Sequence, residues 1–263
     1  MGKSKRLTQI RAGRMVYAVL YDQARASDEP QVRAAKAKVS SAARQKLNAR
    51  ASWQKCEALM AANFEREDLF LTLTYRNEDL PHSREEAQRR LGAFLRELRA
   101  VRAARGEELL YIKAPPEHLN DDGSEGRWHH HLVINATGAD YEEIRSLWIW
   151  GDNLDFQELL GEGWDYETRA RYLVKERQPV GKQAWTPSRN LRRPERRSEL
   201  VDDALTLAAP PGAQILDRHE EKNAWGEYVY IKYLLPWRPK KPKRKRMPRR
   251  QDDPYGSLFS DLG

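Results

Sequence analysis

Three consecutive histidines precede an apolar run in the segment RWHHHLVIN, residues 127–135. Side chains of a β-strand alternate between its two faces. His130 would therefore share a face with apolar residues, whereas His129 and His131 would project together from the opposite, mixed face. Two imidazoles on one face can bind one metal ion, although ordinary strand histidines show the same pattern. We expect His129 and His131 to be metal ligands and His130 to be packed.

A tyrosine and a lysine share one side of a predicted helix in the segment ARYLVKE, residues 170–176. At about 100° per residue, Leu173 falls near Ala170 on the apolar side. Tyr172 and Lys175 fall together on the opposite, polar side, where a core tyrosine would not lie. Such a pair is also common on solvated helices, so its interest lies in its combination with the histidines. Tyr172 is thus a candidate nucleophile and Lys175 a candidate partner.

Alternating or continuous apolar residues predict strands, and apolar residues at helical spacing predict helices. The predicted strands are residues 14–22, 68–75, 108–114, 127–135 and 227–235. The predicted helices are one or two within residues 30–64, and one each over residues 83–102, 140–150 and 165–177. This order predicts an α+β fold with a central, mainly antiparallel sheet. We expect helices against one face of the sheet and the histidine pair on the open face.

Two local signals sharpen this outline. Ser83 followed by Glu86 is a capping box, and the apolar stripe that follows runs to Val101. Tyr166, six residues before Tyr172, falls nearer the apolar side of its helix. We therefore predict that Tyr166 is a core residue and not a second nucleophile.

The positive charge of the chain is concentrated near its C-terminus. The net charge is +8, and residues 236–250 alone contain nine Lys or Arg and no acid. Without them, 47 − 9 = 38 basic residues face 39 acidic ones. Such a segment suits a polyanion such as DNA and is expected to be disordered without it. The candidate DNA contacts there are Lys240, Lys241, Lys243 and Arg244.

Other features bear on the compartment. The single cysteine, Cys56, excludes an internal disulfide and indicates a reducing compartment. The basic residues at the N-terminus are not followed by the apolar stretch of a signal peptide, and no apolar run reaches transmembrane length. We expect a soluble, cytoplasmic protein without a membrane partner.

Three segments together resemble a known superfamily. FLTLTY, GRWHHHLVIN and YLVK resemble, in order, the three motifs of rolling-circle replication initiators of the HUH endonuclease superfamily, single-tyrosine type. QKLNARASWQKCEALMAANFERE, GKQAWTPSRNLRRP and GEYVYIKYLLP are similar to parts of replication-associated proteins of small single-stranded phages and bacterial mobile elements. The resemblance implies three parts. These are residues 1–66, a strand and helical segment packed on the core; residues 67–235, the endonuclease domain; and residues 236–263, the basic tail.

The resemblance implies a reaction. His129, His131 and a carboxylate would hold Mg²⁺ or Mn²⁺, and Tyr172 would attack a phosphate of single-stranded or hairpin origin DNA. The products would be a 5′-phosphotyrosyl link and a free 3′-OH that primes replication, and Lys175 would hold DNA or metal-bound water. No G-x-x-x-x-G-K-[ST] motif occurs, so unwinding of the DNA would require a host helicase. Synthesis of the new strand would require a host polymerase.

The third ligand remains open between two neighbours. Members of the superfamily commonly carry a glutamate at the end of the strand before the histidine motif. Here Glu117 follows two prolines and is the first choice, with His118 as the alternative. Both could instead be exposed hairpin residues. Two imidazoles would favour Mn²⁺ over Mg²⁺, so either metal is possible.

Further arginines could contact DNA outside the tail. These are Arg127, Arg189, Arg192 and Arg193. The last three belong to WTPSRNLRRP, which could equally be a rigid loop where Ser188 or Asn190 caps a turn. At the level of the whole chain, three other functions remain possible: a relaxase or single-strand transposase with the same chemistry, a non-catalytic DNA-binding protein, and a histidine metalloprotein unrelated to DNA.

Overall fold

The computed structural model of the protein describes residues 5–22, 42–119, 125–160, 166–174, 184–223 and 226–237. Over these residues the chain forms two antiparallel sheets and four helices, which confirms the predicted α+β class. No helix within them is both long enough and apolar enough to cross a bilayer. Residues 238–263, which include most of the predicted basic tail, lie outside the described residues.

Strands and helices are mixed along the chain, and the last four elements are all strands. In chain order they are β1 (Lys5–Ala12), β2 (Met15–Asp22), α1 (Ala42–Asn63), β3 (Leu69–Thr74), α2 (Arg84–Ala104), β4 (Tyr111–Lys113), β5 (Glu117–Leu119), β6 (Glu125–Ile134), α3 (Asp140–Leu147), β7 (Leu154–Glu158), α4 (Glu167–Val174), β8 (Thr186–Pro187), β9 (Glu195–Val201), β10 (Gln214–Asn223) and β11 (Gly226–Leu234).

The sheet that carries the histidines, here called the site sheet, has six strands. Five lie in the order β7-β3-β6-β4-β8, and β5 also pairs with β6. All these pairings are antiparallel. The histidine strand β6 is therefore an inner strand, hydrogen-bonded along both edges, and its neighbours fix which residues share a face.

A second sheet, which the sequence did not predict, has the strand order β10-β11-β2-β1-β9. Strands β2 and β11 were predicted, but β1, β9 and β10 were not. The residues of β9 are almost all exposed, and its sequence ERRSELV has no apolar alternation. Edge strands carry charged side chains that discourage pairing with other chains, and this removes the periodicity that would identify them. The prediction of a single central sheet is therefore incomplete.

The helix predicted over residues 83–102 begins as expected. The Oγ of Ser83 accepts a hydrogen bond from the backbone N–H of Glu86 at 3.1 Å, and the Glu86 carboxylate accepts one from the N–H of His82 at 2.9 Å. The prediction that the apolar stripe runs to Val101 is wrong. Val101 is 37% exposed, whereas Arg102 is fully buried. Its guanidinium pairs with Asp140 at 2.6 Å, which joins α2 to α3.

Both faces of the site sheet are covered. One face packs against α2 and α3 through a cluster that includes Leu71, Leu132, Ile134, Phe94 and Trp148. The other face packs against α1, α4 and the five-stranded sheet through a cluster that includes Phe70, Val133, Met60, Leu173 and Tyr230. The prediction of helices against one face only is therefore wrong, because α1, α4 and the five-stranded sheet pack against the face expected to be open. The division of the chain at residue 66 stays a prediction.

Candidate active site

The middle histidine of the triplet belongs to the core. His130 is fully buried, and its Nε2 lies 2.7 Å from the hydroxyl of Tyr75. Its ring packs against Tyr75 and Trp148. Burial, with smaller contributions from neighbouring positive charge, lowers the pKa of His130 to about 3. This side chain is therefore a neutral packing residue, as the strand alternation predicted.

The outer two histidines lie together on the opposite face. The ring centroids of His129 and His131 are 4.8 Å apart. His131 is only 4% exposed, because its ring stacks on Phe70 with the centroids 5.6 Å apart. On β3, Thr72 stands opposite His131 and Thr74 stands opposite His129. The two imidazoles thus form a pair on a wall of the site sheet, one deep and one nearer its edge.

The candidate nucleophile meets this pair from α4. Ala170 and Leu173 of this helix are buried, whereas Tyr172 is 37% exposed, so the predicted separation of Tyr172 from the apolar face is confirmed. The hydroxyl of Tyr172 lies 3.3 Å from Nε2 of His131, and their ring centroids are 4.8 Å apart. The structure therefore brings a tyrosine on a helix and a histidine on a strand to one point, 41 residues apart in the chain.

Contacts at the N-terminal end of α4 hold the helix in this position. Tyr166, just before the helix, is buried and donates a hydrogen bond to the carbonyl of Phe64 at 2.6 Å. Tyr166 is thus a core residue, as predicted. Within the helix, the guanidinium of Arg169 lies 4.6 Å from the centre of the Phe70 ring. Lys175 lies outside the described residues.

A buried ion cluster that the sequence analysis missed also anchors α4. Lys232 of β11 places its Nζ 2.5 Å from Oε1 of Glu57 and 2.9 Å from Oε2 of Glu167. Lys232 is 2% exposed and Glu57 is fully buried. The signal was present, because one lysine interrupts the apolar strand YVYIKYLL. Since α1 supplies Glu57 and α4 supplies Glu167, this cluster joins three elements beneath the site.

The hydrogen bonds of the histidine pair suit a bound cation. Nδ1 of His129 lies 2.9 Å from the carbonyl of Arg127, which can only accept, so Nδ1 carries the proton. Nδ1 of His131 lies 3.1 Å from the Oγ1 of Thr72. Metal-binding histidines usually donate one ring N–H to an oxygen in this way, and the other nitrogen then faces the metal. His129 and His131 are therefore suited to hold a divalent cation.

The two candidates for a third ligand occupy different places. The backbone of Glu117 stands directly opposite His129 in the β5–β6 pairing. The ring of His118 instead stacks on Trp128 at 4.5 Å, on the face of β6 that carries His130. Among the side chains that the structure describes, no three His, Cys, Asp or Glu form a metal-binding group. The Glu117 side chain is not among those described.

A polar pocket adjoins His129 on the side away from Tyr172. Its volume is about 300 Å³. Beside His129, it is lined by Thr74, Tyr75, Arg76, Arg127, Asp152 and Asn153. Arg127, one of the predicted DNA contacts, is exposed and donates a hydrogen bond to the carbonyl of Tyr75 at 2.5 Å. The sequence analysis missed Asp152 and Asn153, which belong to the loop between α3 and β7.

The remaining candidate DNA contacts lie in two places, a loop of the folded part and the C-terminal tail. Arg189, Arg192 and Arg193 are exposed, in a loop next to the edge strand β8. The loop is held by Ser188, whose Oγ accepts from the N–H of Tyr111 at 3.1 Å. This hydrogen bond joins the loop to β4 and is not the turn cap that the sequence analysis considered, and the role of the arginines stays a prediction. The tail candidates lie outside the described residues. They are Lys240, Lys241, Lys243 and Arg244.

Comparison with known proteins bears on the same segment. Residues 68–178 match the family model described as replication-associated protein ORF2/G2P. No curated protein and no solved structure matches the chain. The matched segment contains β3, β6 and α4, and hence His129, His131 and Tyr172. By this match, the protein is similar to a family of replication-associated proteins, which supports a role in the initiation of DNA replication.

Proposed function

We propose that the protein is a metal-dependent, site-specific endonuclease and strand transferase of the HUH type that acts on single-stranded DNA. It would initiate rolling-circle replication by cutting one strand and remaining attached to its 5′ end. The observation that carries this proposal is the 3.3 Å approach of the Tyr172 hydroxyl to His131, inside the segment similar to replication-associated proteins.

Tyr172 is the proposed nucleophile. A bond forms between its phenolic oxygen and the scissile phosphorus, and the bond from phosphorus to the 3′-oxygen breaks. The phenolic proton passes to solvent, and the departing 3′-oxygen takes one up. The number of phosphate ester bonds does not change, so the link conserves the energy needed to rejoin the strand after synthesis.

The surroundings of Tyr172 position its oxygen. Phe70 and His131 contact its ring in T-shaped arrangements, and α4 is held by the buried Ala170 and Leu173. Because the reacting oxygen is fixed before DNA binds, less conformational entropy is lost on the way to the transition state. Lys175, one turn later in the sequence, would add positive charge for the DNA.

His129, His131 and Glu117 are proposed to hold Mg²⁺ or Mn²⁺. The two histidines have the orienting hydrogen bonds described above, and Glu117 has the register position opposite His129. His118 is less suited, because its ring stacks on Trp128 on the other face. When bound, a divalent cation supplies stabilisation of the phenolate and of the charge that develops on the phosphate.

A covalent-attachment assay tests the proposal. Wild-type protein is incubated with Mn²⁺ and a labelled pool of single-stranded oligonucleotides of random sequence, and denaturing electrophoresis detects protein-linked label. Tyr172→Phe should abolish the adduct and retain DNA binding. Tyr141→Phe is the matched control, since Tyr141 is also exposed, at 51%, and should retain the adduct.

Two results would count against the proposal. Absence of any adduct with wild-type protein would favour a non-catalytic DNA-binding protein or a metalloprotein unrelated to DNA. An adduct that persists in Tyr172→Phe would assign the chemistry to another tyrosine. If the adduct forms, priming of synthesis from the released 3′-OH separates a replication initiator from a relaxase or transposase.

A further inference from the structure

The candidate nucleophile and the polar pocket lie at opposite ends of the histidine pair. Along β6, Arg127 comes first, then His129, His131 and Val133, with about 6.6 Å between successive members of this series. Tyr172 contacts His131 and also Phe70, which stands opposite Val133. The pocket contacts His129 and continues to Arg127. A phosphate on the histidine pair would therefore have the tyrosine on one side and the pocket on the other.

The wall of the pocket is fixed by the loop between α3 and β7. The indole N–H of Trp148 donates to the carbonyl of Thr74 at 2.7 Å, and the N–H of Arg76 donates to the carbonyl of Trp150 at 2.8 Å. Gly151 packs so closely that a Cβ there would lie 2.0 Å from the carbonyl oxygen of Thr74. The loop is thus held tightly against the end of β3, and the pocket is formed before any ligand binds.

We infer that this pocket binds the nucleotide immediately 5′ of the cut bond, the one that carries the released 3′-OH. The inference rests on the proposed function. In phosphoryl transfer the attacking and leaving oxygens lie roughly in line, on opposite sides of phosphorus. Since Tyr172 attacks from the His131 side, the leaving 3′-oxygen must point toward His129. The sugar and base attached to that oxygen then enter the pocket.

The pocket lining suits a nucleotide. Arg127 forms no ion pair within the described part of the chain and donates to a neutral carbonyl, so its charge is available to a phosphate. Arg76, in contrast, is paired with Asp79 and Asp152 and serves as part of the wall. The exposed side chain of Asn153 offers both a donor and an acceptor to a base edge. A volume of about 300 Å³ is at the lower end for small-ligand sites and suits one nucleotide.

Retention of this nucleotide has a consequence for the reaction. After cleavage the 3′-OH would stay beside the phosphotyrosyl link, held by contacts that do not depend on the broken bond. Rejoining would then be an intramolecular step of high effective concentration. Extension by a polymerase would require the nucleotide to leave the pocket first.

The test begins with a defined substrate. Tyr172→Phe protein selects bound oligonucleotides from a random single-stranded pool, and wild-type protein then cuts a selected sequence, which locates the bond. That oligonucleotide is remade with an abasic site either immediately 5′ or immediately 3′ of the bond. Adduct formation is compared for wild type, Arg127→Ala, Asn153→Ala and the control Arg96→Ala, an exposed arginine on α2.

In wild type and in Arg96→Ala, the 5′ abasic site should slow adduct formation roughly tenfold, and the 3′ abasic site by less than about threefold. In Asn153→Ala, the penalty for the 5′ abasic site should fall below about threefold, because the contact to the base is already missing. Arg127→Ala loses a phosphate contact, so it should slow adduct formation on the intact oligonucleotide and keep the 5′ penalty. A larger penalty on the 3′ side, an unchanged 5′ penalty in Asn153→Ala, or an Arg127→Ala variant as fast as wild type on the intact oligonucleotide would overturn the inference. These outcomes require an adduct on the intact oligonucleotide, so they are distinct from failure of the proposed function.

Discussion

Replacement of Lys232 by methionine should destabilise the protein and displace the helix that carries Tyr172. Lys232 is the cation between two carboxylates, 2.5 Å from Glu57 and 2.9 Å from Glu167. Glu57 is fully buried, so loss of the lysine would remove the cation 2.5 Å from a carboxylate that is shielded from solvent. Methionine has nearly the same length as the lysine stem and leaves little empty volume.

The size of the effect follows from the difference in burial between the two carboxylates. Glu167 is 27% exposed and also pairs with Arg171, so it keeps compensation after the change. Glu57 is fully buried, and removal of one partner of a buried ion pair costs roughly 3–5 kcal/mol. At about 2–4 °C per kcal/mol for a chain of this size, the Tm should fall by about 6–20 °C.

Thermal and urea unfolding of single and double variants measure this effect. Lys232→Met/Glu57→Met should recover most of the loss, because replacing a whole buried ion pair with apolar groups is often neutral. Arg218→Ala, which breaks an exposed ion pair with Glu220, is the control and should cost less than about 1 kcal/mol. At a temperature where Lys232→Met is folded, its adduct rate should still be reduced. A loss below about 1 kcal/mol, or a double variant no more stable than the single one, would refute the argument.

Three further predictions concern the metal ligands and the tail. His129→Ala and His131→Ala should each reduce adduct formation far more than His130→Ala in limiting Mn²⁺, whereas His130→Ala should lower the Tm most, since that side chain is fully buried; equal adduct defects in all three would contradict the face assignment. Glu117→Ala should need more Mn²⁺ for half-maximal adduct formation, and an unchanged Mn²⁺ requirement would exclude it as a ligand. Residues 236–250 carry nine positive charges, and if half of them contact phosphates, deletion of residues 236–263 should reduce the log–log salt slope of single-strand binding by roughly 3. The position of the cut should not change. An unchanged slope would show that the tail does not bind DNA.

The sequence determined the features that depend on local periodicity. Alternation along β6 was enough to separate His130 from His129 and His131. Rotation along α4 was enough to place Tyr172 opposite the buried Leu173. Both are consequences of backbone geometry within a single element, and no knowledge of neighbouring elements is needed to work them out.

Other features were decided only by packing between elements distant in the chain. Whether Glu117 or His118 stands near the histidine pair depends on the β5–β6 register, which the sequence does not contain as a local pattern. The pairing of Lys232 with Glu57 and Glu167 depends on how α1 and α4 pack over the strand that carries the lysine.

The same distinction explains the pocket and the depth of the site. The loop containing Asp152 and Asn153 reaches the end of β3 only because Gly151 permits the close approach. His131 is buried because Phe70 and Tyr172 come from another strand and from a helix. Periodicity tells which way a side chain points within its own element, whereas the burial and partners of that side chain depend on long-range contacts. The sequence therefore determined the types and directions of the candidate catalytic groups, and the tertiary structure alone decided their distances and surroundings.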